Sequence, residues 1–359
     1  MKFFLPAAQR GTFLLILLVI ALALNLGCLK HQKVEIQEAL PEPVVEPEIL
    51  FGSAAILEAC WTPEELQGKA RDKIVRLSSP PGAGRPPERT EPVNALAPLP
   101  EELRHSIRRV EPVEGQKPMA LTFDLCETRG ETAGYDDEIV NYLRDEKVKA
   151  TFFAGGKWMR SHPEKAMQLM ADPLFEVGNH SWSHAPLHLA DEKIIAEQVL
   201  WPQAEYELLR ETLLARPCAQ GAGEAAAAQI PVVPTLFRFP YGTCGKTGLD
   251  FTAAHGLTAI QWDVVGYDTD ESRGADQIAR TVLSRTRPGS IVILHANGRG
   301  IHTAEALKIA VPKLREQGYA FVTVSELLAA GAVVASPECY ENRPGDTGRY
   351  DHPVQKEKP

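Results

Sequence analysis

The chain has no surplus of positive charge: 38 Lys and Arg stand against 47 Asp and Glu, a formal net charge of -9. A general nucleic-acid binder normally presents a basic face, so that class is set aside. A plain membrane span is also lacking. The apolar run from Phe13 to Leu24 is shorter than the ~20 apolar residues a crossing helix needs. Cysteine is sparse and, with Cys28 set aside, odd in number: Cys60, Cys126, Cys218, Cys244 and Cys339. At least one thiol is therefore left over unless another chain supplies a partner. The remaining composition, 44% hydrophobic and 24% charged, is that of an ordinary globular protein with enough chain for a sizeable core.

The N-terminus reads as an address. Lys2 and Arg10 precede the short apolar run, the pattern of an export signal, with an uncleaved anchor as the alternative. Gly27-Cys28 resembles the end of a bacterial lipoprotein signal, which would lipidate Cys28, although Asn25 and Leu26 depart from the usual residues. In an oxidising envelope compartment one or two disulfides are expected. The reading divides the chain into 1–27 (signal or membrane anchor), 28–117 (proline-rich linker), 118–330 (the main domain) and 331–359 (a polar tail that Cys339 would pin). Pro41, Pro43, Pro47, Pro80-Pro81, Pro86-Pro87, Pro92, Pro98 and Pro100 break up the linker. One helical island survives there, with Thr62 as N-cap and Pro63 in the first turn.

From Met119 short apolar runs alternate with amphipathic segments. Strands are expected over Met119–Asp124, Ala150–Ala154, Phe175–Gly178, Leu236–Phe239, Thr258–Asp263, Ile291–His295 and Ala320–Val324. Helices are expected near Asp136–Asp145, Pro163–Met170, Asp191–Leu214, Ala275–Arg285 and Thr303–Gln317, and Ala219–Pro234 reads as a loop or insertion. This alternation predicts an α/β fold of parallel βαβ units, a barrel of about seven parallel strands.

The chemistry gathers where those strands end. Asn179-His180-Ser181-Trp182-Ser183-His184 places two imidazoles four residues apart after an apolar run, a pairing that suits a divalent metal. Two polar histidines in a surface turn are an equal reading of that spacing alone. The company of Asp124, Glu127, Arg238, Tyr241, Asp263, Asp268 and His295 favours the metal, because in α/β barrels the C-terminal strand ends form the active face.

These segments resemble the NodB-homology polysaccharide deacetylases (carbohydrate esterase family 4), whose five motifs lie on a distorted (β/α) barrel. Thr122-Phe123-Asp124 is similar to the start of the first motif, and His180-Ser181-Trp182-Ser183-His184 to the second. Arg238-Phe239-Pro240-Tyr241 is similar to the third, Asp263 to Asp268 to the fourth, and Ile293-Leu294-His295 to the fifth. The resemblance covers roughly residues 118 to 330. It implies a metal on His180 and His184 that polarises an acetamide carbonyl and acidifies a water. By the same resemblance Asp124 is the base, His295 the acid that protonates the leaving amine, and Tyr241 the oxyanion donor through its backbone N–H. Arg238 would orient Asp124, and Asp268 would orient and tune His295.

Two positions depart from the family. Leu125 stands where a second Asp supplies the third metal ligand, and Thr269 stands where Trp forms an aromatic wall. Glu127 is the expected replacement ligand. Cys126 as a thiolate ligand, Cys126 paired with Cys244, or Asp124 as ligand with Glu127 as base are the alternatives. Trp182 and Asn297, with Tyr241, are the expected substrate contacts; Arg299 is a weaker one, and Trp262 is expected in the core.

The resulting expectation is an exported hydrolase that removes N-acetyl groups from a polysaccharide of the peptidoglycan or exopolysaccharide type. Its cofactor would be a divalent metal, zinc first, with cobalt, nickel or manganese as alternatives. Its partners would be an N-acetylated glycan and, through the N-terminal segment, a membrane; no protein partner can be inferred. The competing readings are a metal-independent or non-sugar amide hydrolase and an inactive glycan-binding envelope protein.

Overall fold

Successive side chains of a strand face opposite ways, and Pro118–Leu125 shows the consequence. Met119, Leu121, Phe123 and Leu125 are buried with helix residues such as Ile139, Leu143, Ile278 and Leu307, in the core between strands and helices. Ala120 faces the other way, into an inner cluster with Phe153, Leu236, Ile260 and Ile293. Asp124, two positions beyond Thr122, shares that inner direction. The computed structural model that displays this arrangement describes residues 51–69, 72–73 and 77–350. The expected signal or anchor, Cys28 and the start of the linker lie outside the described residues. Among the described residues no helix is long and apolar enough to cross a membrane.

Besides a small antiparallel pair, Leu77–Ser78 with Glu131–Thr132, the strands are β1 (Ser106–Pro112), β2 (Pro118–Leu125), β3 (Ala150–Ala154), β4 (Phe175–Asn179), β5 (Leu236–Phe237), β6 (Thr258–Ala259), β7 (Val264–Val265), β8 (Ile291–His295), β9 (Ala320–Phe321) and β10 (Gly331–Ser336). Seven of them form a sheet in the order β6-β5-β4-β3-β2-β8-β7, with β9 added beside the start of β2. Every pairing in this sheet is parallel. This is the distorted barrel of about seven parallel strands that the periodicity predicts. The five expected helices form as Asp137–Asp145, Pro163–Ala171, Glu192–Leu214, Ala275–Arg285 and Thr303–Glu316. In register, His295 lies beside Asp124 and Ala154 beside Asn179, so the motif residues meet at one rim.

The described part of the expected linker departs from that reading. Ile56, Leu57 and Trp61 are buried in the main core, and a disulfide ties Cys60 to Cys218. The helix Pro63–Gln67 carries the Thr62 cap, completed by Glu65 as a capping box. β1 pairs antiparallel with β10, and isolated bridges link Ile107 to Ile260 and Arg109 to Ser290. The packed domain therefore begins well before residue 118 and takes in part of the expected tail. Ala219–Pro234 also differs from a plain loop, since the short helices Pro217–Ala222 and Glu224–Ala227 occupy its first half.

Candidate active site

Asp124, next to the end of β2, is buried on the inner face. Its Oδ1 accepts from Arg238 Nη1 at 2.9 Å, and its Oδ2 lies 3.2 Å from His180 Nε2. Burial works to raise its pKa, but the charges of His180, Arg238 and His295 outweigh burial and hold the carboxyl below its ordinary value. Arg238, fully buried after β5, also donates to Thr122 Oγ1 at 2.8 Å and to the carbonyls of Ile260 and Gln261. Its guanidinium lies 3.9 Å from the centre of the Phe153 ring. A charge that deep persists only because its donors are matched.

His180 follows β4. Its Nδ1 lies 2.9 Å from the Arg238 carbonyl, which can only accept, so Nδ1 carries a proton, and in the neutral ring that burial favours Nε2 bears a lone pair. That Nε2 is buried without a hydrogen-bond partner, and in the neutral ring it faces the Asp124 oxygen as a second acceptor. Two lone pairs facing each other at 3.2 Å call for a cation or a proton between them. His184 packs 4.9 Å from His180, ring centre to ring centre, and opens onto the cleft. Burial, then its neighbour His180, keeps His184 well below the usual histidine range, in the neutral form a metal needs. Cys126 Sγ joins these two imidazoles, with the three ligand atoms all within 4.8 Å of one another. The donor set of two imidazoles and a sulfur fits a zinc-type ion.

Across the rim, His295 at the end of β8 is held by Asp268. Asp268 Oδ1 lies 3.0 Å from His295 Nδ1, while Oδ2 accepts from His295 N at 2.7 Å and from Thr303 Oγ1 at 2.8 Å. Burial would lower the His295 pKa, but the charge and hydrogen bond of Asp268 prevail and raise it. Gly300 permits this packing: a Cβ there would come within 2.4 Å of the His295 carbonyl and 2.7 Å of Asp268 Oδ2.

Strain concentrates here as well. Ser181, His184, Tyr241, Tyr267 and His302 all carry positive φ without being glycine. Such backbone costs on the order of 1 kcal/mol or more per residue and persists where the surroundings enforce it. Tyr241 packs on His184 with ring centres 4.3 Å apart.

Three expected site residues sit elsewhere than the sequence reading placed them. The Glu127 carboxylate is buried away from the histidines, held by Lys157 Nζ at 3.1 Å, Ser161 Oγ at 2.6 Å and Ala133 N at 3.0 Å. With its oxygens so occupied, it is no metal ligand in this arrangement. Trp182 is buried against Trp201 and Gly156, its Nε1 turned toward the Gly84 carbonyl, so it offers no open face to a sugar. Asn297 is fully buried and donates to the Cys126 carbonyl at 2.8 Å and to Cys126 Sγ at 3.3 Å. The alternative pairing of Cys126 with Cys244 does not form: Cys244 pairs with Cys339, and Cys126 is free, buried, its thiol pushed up to about 12 by burial.

That disulfide draws in residues the sequence reading missed. The segment after Cys339 crosses the site, tied by Arg108 to the carbonyls of Tyr340 and Glu341 and by Trp262 Nε1 to that of Glu341. Tyr350 packs on Tyr241 at 4.7 Å, and Glu341 and Arg349 also line the cavity. The only sequence signal for this wall was the lone Cys339 beyond the last strand. The cavity measures about 460 Å³, with Asp124, Cys126, His184 and His295 among its lining residues and Tyr267, Trp262 and Arg299 on its sides.

The sequence model of the polysaccharide deacetylase family matches residues 112–260. The chain belongs to the polysaccharide deacetylase family. It is 30% identical to a chitooligosaccharide deacetylase of Sinorhizobium fredii over 217 residues, 57% of this chain and 89% of that protein. It is 31% identical to the peptidoglycan-N-acetylglucosamine deacetylase PgdA of Listeria monocytogenes over 215 residues, 59% of this chain and 39% of that protein. The chain thus spans well under half the length of PgdA. Among solved structures, the Bc1960 peptidoglycan N-acetylglucosamine deacetylase superposes with a TM-score of 0.51 at 23% identity, over 65% of this chain and 96% of that one. That likeness concerns the fold.

Proposed function

We propose that the chain is a metal-dependent N-deacetylase acting on an N-acetylated polysaccharide of the peptidoglycan or exopolysaccharide type. The observation that carries the reading is the buried, unpartnered Nε2 of His180 facing the Asp124 carboxylate, with neutral His184 beside it and the Asp268–His295 pair across the same cavity. A divalent ion of the zinc class, held by His180 and His184, would polarise the acetamide carbonyl and make a water acidic near neutral pH. Asp124, kept ionised by its neighbours, is the base that accepts the proton from the attacking water. Arg238 holds that carboxylate in place and leaves Oδ2 as the working oxygen. His295, kept protonated by Asp268, gives its proton to the departing sugar amine. Tyr241 is assigned the oxyanion through its backbone N–H. Tyr267 and Tyr350 offer aromatic surface for pyranose rings, a role first expected of Trp182, while Trp262 packs in the core beside the cavity as expected.

An extracytoplasmic substrate agrees with the N-terminal signal, with Cys28 as a lipid site, and with the two disulfides. Intact-mass analysis of the membrane fraction tests the lipid: an unmodified full-length mass rejects it. Acetate release from peptidoglycan and from N-acetylated chitooligosaccharides, compared between the wild type and Asp124→Asn, tests the activity. Release by wild type that falls at least ~100-fold in the variant is the expected result. No release from either glycan would favour the glycan-binding alternative.

A further inference from the structure

Leu125 leaves the third ligand of the proposed metal site unassigned, and the surrounding geometry supplies it. Leu125 is buried with Leu121 and Phe123 in the core on the outer face of β2 and carries no ligand atom. Glu127 is consumed by Lys157, Ser161 and the Ala133 N–H. Asp124 keeps one oxygen on Arg238. Between them Cys126 sits at the point where β2 ends and the chain turns, its sulfur grouped with the imidazole nitrogens of His180 and His184.

We infer that Cys126 binds the metal as a thiolate, making a one-sulfur, two-imidazole site for a thiophilic divalent ion of the zinc or cobalt class. The inference rests on the metal-dependent reading above and deepens it. Three further observations support it. The ligand atoms lie within 4.8 Å of one another, and Zn–S and Zn–N bonds of about 2.3 and 2.0 Å require them about 3.3–3.6 Å apart in a tetrahedron, so closure takes small side-chain shifts. The imidazole aimed into the cluster has a buried nitrogen with no hydrogen-bond partner. Outer hydrogen bonds are in place: the Arg238 carbonyl accepts from His180 Nδ1, and Asn297 Nδ2 donates to the sulfur itself at 3.3 Å. An N–H aimed at sulfur stabilises the thiolate over the thiol, as such supporting bonds do at zinc sites. Asn297, which sequence reading placed against the substrate, is thereby a positioning residue for Cys126. Three protein ligands leave the fourth position open, as catalytic zinc sites require.

Cobalt(II) reports the sulfur directly, because a thiolate–cobalt bond absorbs in the near ultraviolet and imidazole or carboxylate ligands do not. The metal-free full chain, disulfides intact, is titrated with cobalt(II) and then zinc(II), beside Cys126→Ser, Cys126→Asp and His180→Ala. The wild type is expected to show the near-ultraviolet band saturating at about one equivalent. Cys126→Ser should lose it and bind zinc more weakly by over the ~10–100-fold that loss of an outer hydrogen-bonding partner costs. Cys126→Asp should recover much of the affinity without the band, which separates ligation from folding. Wild-type cobalt binding without the band, at an affinity that Cys126→Ser shares, would overturn the inference and leave the metal-dependent reading standing. Failure of the wild type to bind cobalt or zinc would overturn both.

Discussion

Replacing Arg238 with Met exposes the electrostatic logic of the site most clearly. The guanidinium is fully buried, and the Asp124 side chain it holds is only 5% exposed. Removing one partner of such a pair strands a charge in a low dielectric, which costs about 3–5 kcal/mol. The carbonyls of Ile260 and Gln261 also lose donors, at about 1 kcal/mol each. Met fills similar volume, so the loss reports polar terms rather than a cavity. Against a domain stability of roughly 5–15 kcal/mol this is severe but measurable by urea unfolding without reductant, on metal-free protein. Adding Asp124→Asn to Arg238→Met removes the stranded charge, and the double variant should regain about 2 kcal/mol or more over the single one. The pH dependence should also flatten. In the wild type the depressed Asp124 pKa contributes stability above its unfolded value of 3.8, and that contribution is lost as pH falls through the folded pKa. Without Arg238 only His180 and His295 oppose burial, so the depression shrinks and less stability is lost on acidification. An Arg238→Met protein within ~1 kcal/mol of wild type, or a double variant no more stable than the single, would refute this reasoning.

Asp268→Asn should lower kcat by roughly 10²–10⁴ and move the alkaline limb of the rate profile to lower pH, since the carboxylate is what keeps His295 protonated; an unmoved limb would remove His295 from the acid's role. Cys244→Ala with Cys339→Ala should cost about 2–4 kcal/mol in unfolding and raise KM more than it lowers kcat, because the strap it frees carries Glu341, Arg349 and Tyr350 of the cavity wall. Unchanged KM would show that this wall does not touch substrate. Glu176, buried at the start of the Val324–Ala329 helix with Thr151 and Ser325, has its pKa raised by burial from 4.5 to about 6. Its folded form prefers the proton, so stability should fall by roughly 2 kcal/mol as pH rises from 4.5 to 6, and Glu176→Gln should abolish that slope in urea titrations.

The parts of this site that sequence revealed are those governed by local rules. Short apolar runs between amphipathic segments located β2, β3, β4 and β8, and the polar residues at the ends of three of them marked Asp124, Asn179-His180 and His295. What failed was non-local. Alternation puts Asp124 inward and Leu125 outward, but the strand ends there, so no period says whether Cys126 or Glu127 returns to the site. Lys157, some 30 positions away in sequence, claims Glu127. The β1–β10 ribbon joins segments more than 200 residues apart, and Cys60–Cys218 spans 158; no local pattern encodes either. Trp182 and Asn297 carried the right chemistry for a sugar, yet their burial was decided by Trp201 and by the Cys126 turn.

The most direct test joins two readings on one preparation: metal content by elemental analysis and acetate release from N-acetylated glycan, for wild type and His180→Ala. About one zinc-class ion per chain with acetate release is expected in the wild type, and loss of both in the variant. A wild type that stays metal-free when offered zinc, cobalt, nickel or manganese, or a variant that releases acetate at the wild-type rate, would contradict that expectation.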